Sequence, residues 1–435
     1  MTQLSNYAED QALDLAVGGD SWSISSRHVA LATAAISDTT TGTTITEPSG
    51  GNYSRATTVS GDWNTPAAGS VANDTAITFP TPSADWGSVG SPIVDMALID
   101  AATLGNIILY NTNTVSKVAS VGSTVSFAIS AITFSWYMAK IGVKLANALL
   151  SHILGIATYS PPATLYLAAI KLRTGVAITS FTNATERVNL NSHGLANGTP
   201  IMLTNSGGAL PTGLSEQTRY FVVNQTTNDF QLSLRPGGSV VTFSSDGTGT
   251  SSYHLAMRND GGGAVEADYT SYARGSKTNN LTNFPASSGG SKQNANDWTL
   301  GSPTGASAQL AEWAVFDANI GSPVTITFTN ATNLVNATSH GLANGTAIML
   351  RTTGSLPAAF EANRIYFVIN ANANDFQLAD TEGGSAIDFA TDGTGTNTFV
   401  TAGNLMFIAP MTNRITPGSG DTVKAGTSQL TFTFA

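Results

Sequence analysis

Hydrophobic and polar residues alternate over short runs along most of the chain. The segments "HVALAT", "AITFP", "VDMALID", "NIILYN", "TVSFAIS" and "AITFSW" are bounded by Gly, Asn, Asp, Ser and Pro, and their alternation and β-branched content predict strands. Two segments follow a helical period instead, near 5–17 and near 139–155. A glycine follows each, Gly18 and Gly155, as helix C-termini prefer. A helix followed by many short strands predicts an antiparallel β-sandwich with one packed helix. The second helical segment lies in the most apolar stretch, 134–160. Lys140, Lys144 and His152 interrupt that stretch, so it reads as a helix buried on one face and not as a membrane span.

The pattern occurs twice. "ALIDA" (97–101) matches "AVFDA" (314–318) at an offset of 217, and "GNIILY" (105–110) matches "GNLMFI" (403–408) at 298. "YSR" (53–55) matches "YAR" (272–274) at 219, and "VAL" (29–31) matches "LYL" (165–167) at 136. "GSTV" (122–125) with "GDTV" (420–423), and "ITF" (132–134) with "LTF" (430–432), keep the offset of 298. The matches are collinear, which predicts two copies of one domain, 1–137 and 138–435. The offset jumps between "VAL" and "YSR" and again between "ALIDA" and "GNIILY". Those jumps predict two inserted modules in the second copy, 176–254 and 322–401.

The modules resemble each other more closely than their hosts do. "SHGLANGT" recurs letter for letter at 192–199 and 339–346, with "NDFQL" and "DGTGT" after each. "RVNLNSHGLANGTPIMLT" reads as strand, turn, strand; "RYFVVNQTTNDFQLSL" as a second hairpin; "VVTFSSDGTGTSSYHLAM" as a third. Asn197-Gly198 and Asn344-Gly345 are the hairpin signals, because both residue types tolerate positive φ. Each module is then a compact all-β unit hung on two points of an exposed host loop.

Composition excludes several classes. Hydrophobic residues make up 41% and charged ones only 11%, which fits a turn-rich β protein and not a disordered chain. The net charge of −10 and scattered Lys and Arg disfavour nucleic-acid binding. With no cysteine there is no disulfide framework or thiol nucleophile, which suits folding in a reducing cytoplasm. The N-terminal "MTQLSNYAEDQALDLAV" is acidic where a secretory signal is basic, so no signal peptide is expected.

The chemistry-bearing residues form no constellation. None of His28, His152, His193, His254 and His340 has a second ligand at metal spacing. His193 and His340 are equivalent copies; as sugar or metal contacts they would act in binding, but fixing the turn is the preferred reading. "DGTGT" (246–250, 392–396) has one acid where a calcium loop needs several, so it reads as a turn. The "GGG" at 261–263 and "GSGD" at 418–421 lack the pattern of a phosphate loop. Asp95, Asp100 and Asp317 lie on strands or their ends; Asp100 and Asp317 are one repeated position, read as a turn residue. Trp63, Trp86, Trp298 and Trp313 lie in turn-rich segments, either as sugar-stacking platforms or, preferred here, as core. No catalytic, cofactor or metal residues are assigned, and no binding residues can be named.

The order "LSN…AL…GG", "HVALAT", "GGNYSRA", "AITFPTPSADWGSV", "ALIDAATLGNIILY", "GSTVSFAISAITFS" over residues 4–135 resembles a small domain of tailed bacteriophages, labelled tail fibre or minor virion structural protein. The inserted modules resemble modules of phage tail and adhesin-like proteins. The second copy departs from the pattern, reading "EADYTSYARG" for "GGNYSRA", with a longer polar loop at 275–297. The resemblance implies a non-enzymatic virion protein, tail-fibre or baseplate-associated, that assembles in the host cytoplasm and contacts other virion proteins. A homotrimer and a host-surface glycan are the expected partners. A head decoration or cement protein bound to the major capsid protein is the alternative, and a polysaccharide depolymerase a further one. Neither nucleic acid nor membrane insertion is expected.

Overall fold

A computed structural model describes residues 2–135, 140–305 and 307–433. The expected boundary at 137/138 and the expected start of the second helix near 139 lie outside the described residues. The described residues are mostly β, in multiple antiparallel sheets, with two α-helices among them. No described helix is long and apolar enough to cross a membrane.

In the first half, β1 (Thr2–Leu4) leads into α1 (Asn6–Ala16). Ser5 caps the helix by accepting from the Ala8 amide at 3.2 Å. The helix closes with the Val17 amide on the Leu13 carbonyl; Gly18 follows, but the left-handed residue is Gly19, at φ 62°. There follow β2 (Arg27–Ala32), β3 (Ala56–Thr58), β4 (Ser70–Ala72), β5 (Ile77–Thr78), β6 (Ile93–Ile99), β7 (Ile107–Lys117), β8 (Ser126–Phe127) and β9 (Thr133–Ser135). The main sheet has the order β1-β7-β6-β2-β3, and β4–β9 and β5–β8 form two-stranded ribbons.

The expected alternation fails in the central strands. β2 and β6 are buried at nearly every residue because both faces of the sheet are covered. Val29, Leu31, Met96 and Leu98 meet α1 and the ribbons in the large core. Ala30, Ala32, Ala97 and Ile99 meet Ile36 and Ile45 of the loop that follows β2.

The second half begins with α2 (Val143–Leu154), which ends at left-handed Gly155, φ 74°. β10 (Thr164–Lys171) then enters the first inserted unit: β11 (Val176–Ala177), β12 (Ser180–Thr182), β13 (Arg187–Asn189), β14 (Pro200–Ser206), β15 (Arg219–Val223), β16 (Asp229–Ser233) and β17 (Thr250–Leu255). The host resumes with β18 (Gly275–Thr278), β19 (Ser291–Gln293), β20 (Trp298–Thr299) and β21 (Leu310–Phe316). The second unit is β22 (Val324–Thr329), β23 (Leu334–Asn336), β24 (Ala347–Thr352), β25 (Ile365–Ile369), β26 (Asp375–Ala379) and β27 (Asn397–Thr401). The chain finishes with β28 (Leu405–Ile415), β29 (Lys424–Ala425) and β30 (Thr431–Thr433).

The host sheet has the order β18-β10-β21-β28, with ribbons β19–β30 and β20–β29. Ile141 bridges Phe407 at the edge, where Leu4 pairs with Leu109 in the first half. The two halves therefore have the same strand order.

Each inserted unit is a ring of strands. The second is a closed barrel, β22-β23-β26-β25-β24-β27. The first has the order β11-β17-β14-β15-β16-β13-β12, and β11 and β12 are two pieces of one passage of chain that correspond to β22. Two of the three expected hairpins are corrected. β13 and β14 form but are not neighbours: β13 pairs with β12 and β16, and β14 with β15 and β17. The turn between them is closed by the Thr199 amide on the Ala196 carbonyl at 3.1 Å, with positive φ at Gly198 (85°) but not at Asn197. That is a type II turn, not the doubly left-handed turn that joins paired strands. The β15–β16 hairpin forms as expected, with Phe221 opposite Ser233. The third does not form: Val240 bridges Ser233, whereas β17 returns to β14 and β11.

The barrels are also not merely hung on their loops. Met349, Ile365, Phe367 and Val400 of the second barrel pack onto Ala168, Ile170, Phe316 and Ile408 of the host sheet. This covers the sheet face that a loop covers in the first half.

Candidate functional site

The roots of both barrels converge on one buried group. Glu266 follows the first barrel. Its carboxylate accepts from Arg274 Nε at 3.1 Å and from the Tyr272 hydroxyl at 3.0 Å. Arg274 Nη1 donates to the Ala318 carbonyl at 2.8 Å and the Ala402 carbonyl at 2.7 Å, on either side of the second barrel. The guanidinium also lies over the Phe316 ring, 3.9 Å from its centroid. Burial, then the neighbouring Glu266 carboxylate, push the Tyr272 phenol well above its ordinary pKa.

The first half carries the same arrangement without barrels. Glu47 accepts from Arg55 Nε at 3.1 Å and the Tyr53 hydroxyl at 2.7 Å; Arg55 Nη1 reaches the Ala101 and Leu104 carbonyls at 2.8 and 2.7 Å. Asp100 and Asp317 are the expected repeated turn residues. Each accepts two bonds from one asparagine: Asp100 from Asn106 at 2.7 and 2.9 Å, and Asp317 from Asn404 at 2.7 Å for both. Sequence reasoning found the repeated Tyr-x-Arg but missed its acid. The signal was available: both glutamates stand six residues before the tyrosine.

The first barrel's seat on the host mixes an apolar contact, Met202 and Ala256 on Ala311 and Leu172, with buried polar groups. Register places Arg219, Phe221 and His254 where the second barrel has Ile365, Phe367 and Val400. Arg219 donates to the Met257 carbonyl and, at 2.8 Å, to Asn259 Oδ1. Burial pulls its guanidinium down to about 10, against the pull of Glu312. Glu312, buried on the host strand β21, accepts from the Met257 amide at 3.0 Å; burial pushes its carboxyl up. His254 Nδ1 donates to the Arg173 carbonyl at 2.6 Å and its Nε2 meets Thr204 Oγ1 at 2.9 Å. Burial keeps this imidazole below its ordinary pKa.

The repeated octapeptide serves the barrels' own folding. His193 Nε2 meets the Asp229 carbonyl at 3.3 Å and its Nδ1 accepts from the Leu195 amide at 3.0 Å; His340 repeats this at 3.4 and 2.9 Å. Asn197 Oδ1 accepts from the Gln225 amide, as Asn344 does from Ala371. Gly198 and Gly345 have φ of 85° and 81°, and their amides reach Val222 and Val368. The "DGTGT" aspartates act as caps: Asp246 accepts from the Asn183 amide at 2.6 Å and Asp392 from Asn330 at 2.7 Å. Gln231 and Gln377 of "NDFQL" donate to Thr185 and Thr332.

The other candidates are also committed. His28 meets Thr57, and His152 meets the Trp22 carbonyl and the Tyr159 amide. Asp95 accepts from the Ile36 amide at 2.7 Å. Trp63, Trp86, Trp298 and Trp313 are core residues. Among the described residues no aromatic side chain is fully exposed, and no group of three or more His, Asp or Glu could hold a metal ion. One shallow recess stands out, lined by Asn344, Gly345, Ile369, Asn370 and Glu382 of the second barrel. Lys144 of α2 abuts it, 2.9 Å from the Gly345 carbonyl and 3.4 Å from Glu382.

Residues 3–135 match the family described as podophage GP4 fiber I protein gp80. That match supports the resemblance to phage fibre proteins over residues 4–135, and this part of the chain is similar to a phage fibre family. No curated protein matches the chain.

Proposed function

We propose that the protein is a phage virion structural protein of fibre type, exposed on the particle and tail-fibre or baseplate-associated. The family match over residues 3–135 carries this reading. The second half is read as an internal copy of the first, entered by two barrels, and the domain limits 1–137 and 138–435 follow from that. The fibre-type halves form the base that meets other virion proteins, and the barrels are the added surface. The non-enzymatic reading is supported by the candidate histidines and aspartates, each hydrogen-bonded to a neighbouring part of the fold. A symmetric homo-oligomer is expected of a repeated virion part, and a homotrimer by analogy with fibres and decoration proteins. A host-surface glycan ligand would have to be held by polar groups, because the tryptophans named as platforms are core residues.

Head decoration is the second reading. It is favoured by the compact β architecture, whose longest described helix has 12 residues and builds no shaft. Immunogold microscopy of intact virions with an antibody against residues 176–254 separates the two. Label at the tail supports the first reading, and label over the head the second. Virions that carry the chain by mass spectrometry only as a contaminant removed on banding would refute both.

A further inference from the structure

The two halves hold each other by one contact made twice. The Asp10 carboxylate on α1 accepts from the Gly289 and Gly290 amides at 3.2 and 2.9 Å, just before β19 of the other half. Asn147 Oδ1 on α2 accepts from the Gly69 amide at 2.8 Å, just before β4 of the first half. Asp10 and Asn147 are separated by the same 137 positions as Leu4 and Ile141, which share one place at the sheet edges. Gly69 and Gly290 are likewise equivalent, both left-handed at φ 75° and 70°. Each helix thus lies between its own sheet and the other half's ribbon.

Further bonds reinforce the exchange on both sides. Ser287 donates to Asp14 Oδ1 and to the Asp10 carbonyl, each at 2.8 Å. Lys292, its side chain fully buried, meets Asp14 at 2.5 Å. Arg27 donates to the His152 carbonyl at 3.1 Å, and His152 to the Trp22 carbonyl at 2.8 Å. One hydrophobic core runs through both halves, from Leu13 and Phe134 to Leu149 and Phe432.

A contact in which each partner supplies the same helix and receives it on the same ribbon has the form of a two-fold interface between subunits. We propose that this helix-and-ribbon face is a pairing surface between domains of this fold, and that two copies of this chain can pair through it by exchanging halves. The first half of one copy then sits on the second half of the other. The face fits a second copy because a unit of the same strand order is already seated there. The Asp14–Lys292 pair makes the contact directional: α1 of a first half brings the acid, and β19 of a second half brings the base.

Full-length Asp14→Lys and Lys292→Asp variants test it. In either variant alone the two positions carry like charges, within a chain and between identical chains. Mixed, the unaltered Asp14 of one variant meets the unaltered Lys292 of the other, and the two introduced residues form the reversed pair. The expected result is a 1:1 species of twice the parent protein's mass by light scattering, absent from either variant alone. The Asp14→Lys/Lys292→Asp double variant should be folded and of the parent protein's mass. If the single variants do not fold alone, they are refolded together from denaturant under different tags, and 1:1 co-purification is expected. Variants that stay separate on mixing, or no soluble complex where the double variant folds, would overturn the proposal.

Discussion

Arg274 donates to the carbonyl of Ala402 at 2.7 Å across 128 residues of chain, tying the far root of the second barrel to the residue that Glu266 holds in place. Its counterpart Arg55 ties two short loops instead, and Glu47 is more open to solvent than Glu266, 20% against 1% of the side chain. The same device therefore bears more in the half that carries the barrels.

Removing one member of a buried, hydrogen-bonded ion pair leaves the other charge uncompensated. Arg274→Ala is expected to lower the unfolding free energy by about 3–5 kcal/mol, and Arg55→Ala by less. Urea denaturation of the two variants checks the order. Equal small losses would show that the barrel roots do not depend on Arg274.

The two barrels should part from their host by different rules. Ile365→Ala removes apolar packing against the host sheet and is expected to cost about 2–5 kcal/mol. Arg219→Ala removes a counter-charge from buried Glu312 and is expected to cost about 3–5 kcal/mol. Adding Glu312→Gln should recover much of the second loss but none of the first. A double-mutant cycle read by denaturation decides, and an additive Arg219/Glu312 pair would refute the coupling.

Much of the architecture could be read from the pattern of residues, and the failures have physical causes. The repeat of Asp100 in Asp317, and of Tyr53-x-Arg55 in Tyr272-x-Arg274, marked the loop anchors. Helix positions emerged from periodicity to within a few residues. Ring closure did not, because β13 is three residues long and its partners β12 and β16 are set by tertiary packing, not by a turn. Asn-Gly misled because only the glycine needs positive φ here. The barrel seats were hidden because Arg219 and Ile365 stand in otherwise similar strands. Only the surfaces beneath them, Glu312 in one case and Ala168 and Ile170 in the other, distinguish a partly polar seat from an apolar one.

Glycine at the octapeptide turn has different surroundings in the two copies. A Cβ on Gly198 would meet nothing within 4 Å, whereas one on Gly345 would lie 2.6 Å from Glu382 Oε1. Gly198→Val should therefore cost only the backbone strain, about 1–2 kcal/mol, confined to the first barrel. Gly345→Val should cost that and also displace Glu382 from Lys144. Hydrogen exchange by mass spectrometry should show faster exchange in 176–254 alone for the first variant, and in both 322–401 and α2 for the second. Faster exchange in α2 for Gly198→Val would contradict the assignment.

Glu9 makes stability depend on pH. It stands in the first turn of α1, where the helix dipole favours a negative charge. Against this, its half-buried carboxyl lies beside Gly290 of the other half, so close that a Cβ there would meet Oε2 at 1.9 Å. Burial first, then Asp38, then Asp10, push its pKa up to about 7 from the ordinary 4.5. The dipole is outweighed. Between those two values the folded chain holds a proton that the unfolded chain has lost, so stability falls as pH rises from about 4.5 through about 7 and levels off above. Glu9→Gln cannot undergo this loss. The variant is expected to melt at the same temperature as the parent at pH 4 and at a higher temperature at pH 8, by calorimetry at fixed ionic strength. A variant that melts lower at pH 8 would mean that the charged carboxylate, and not its neutral form, is the species the contact between the halves is built to hold.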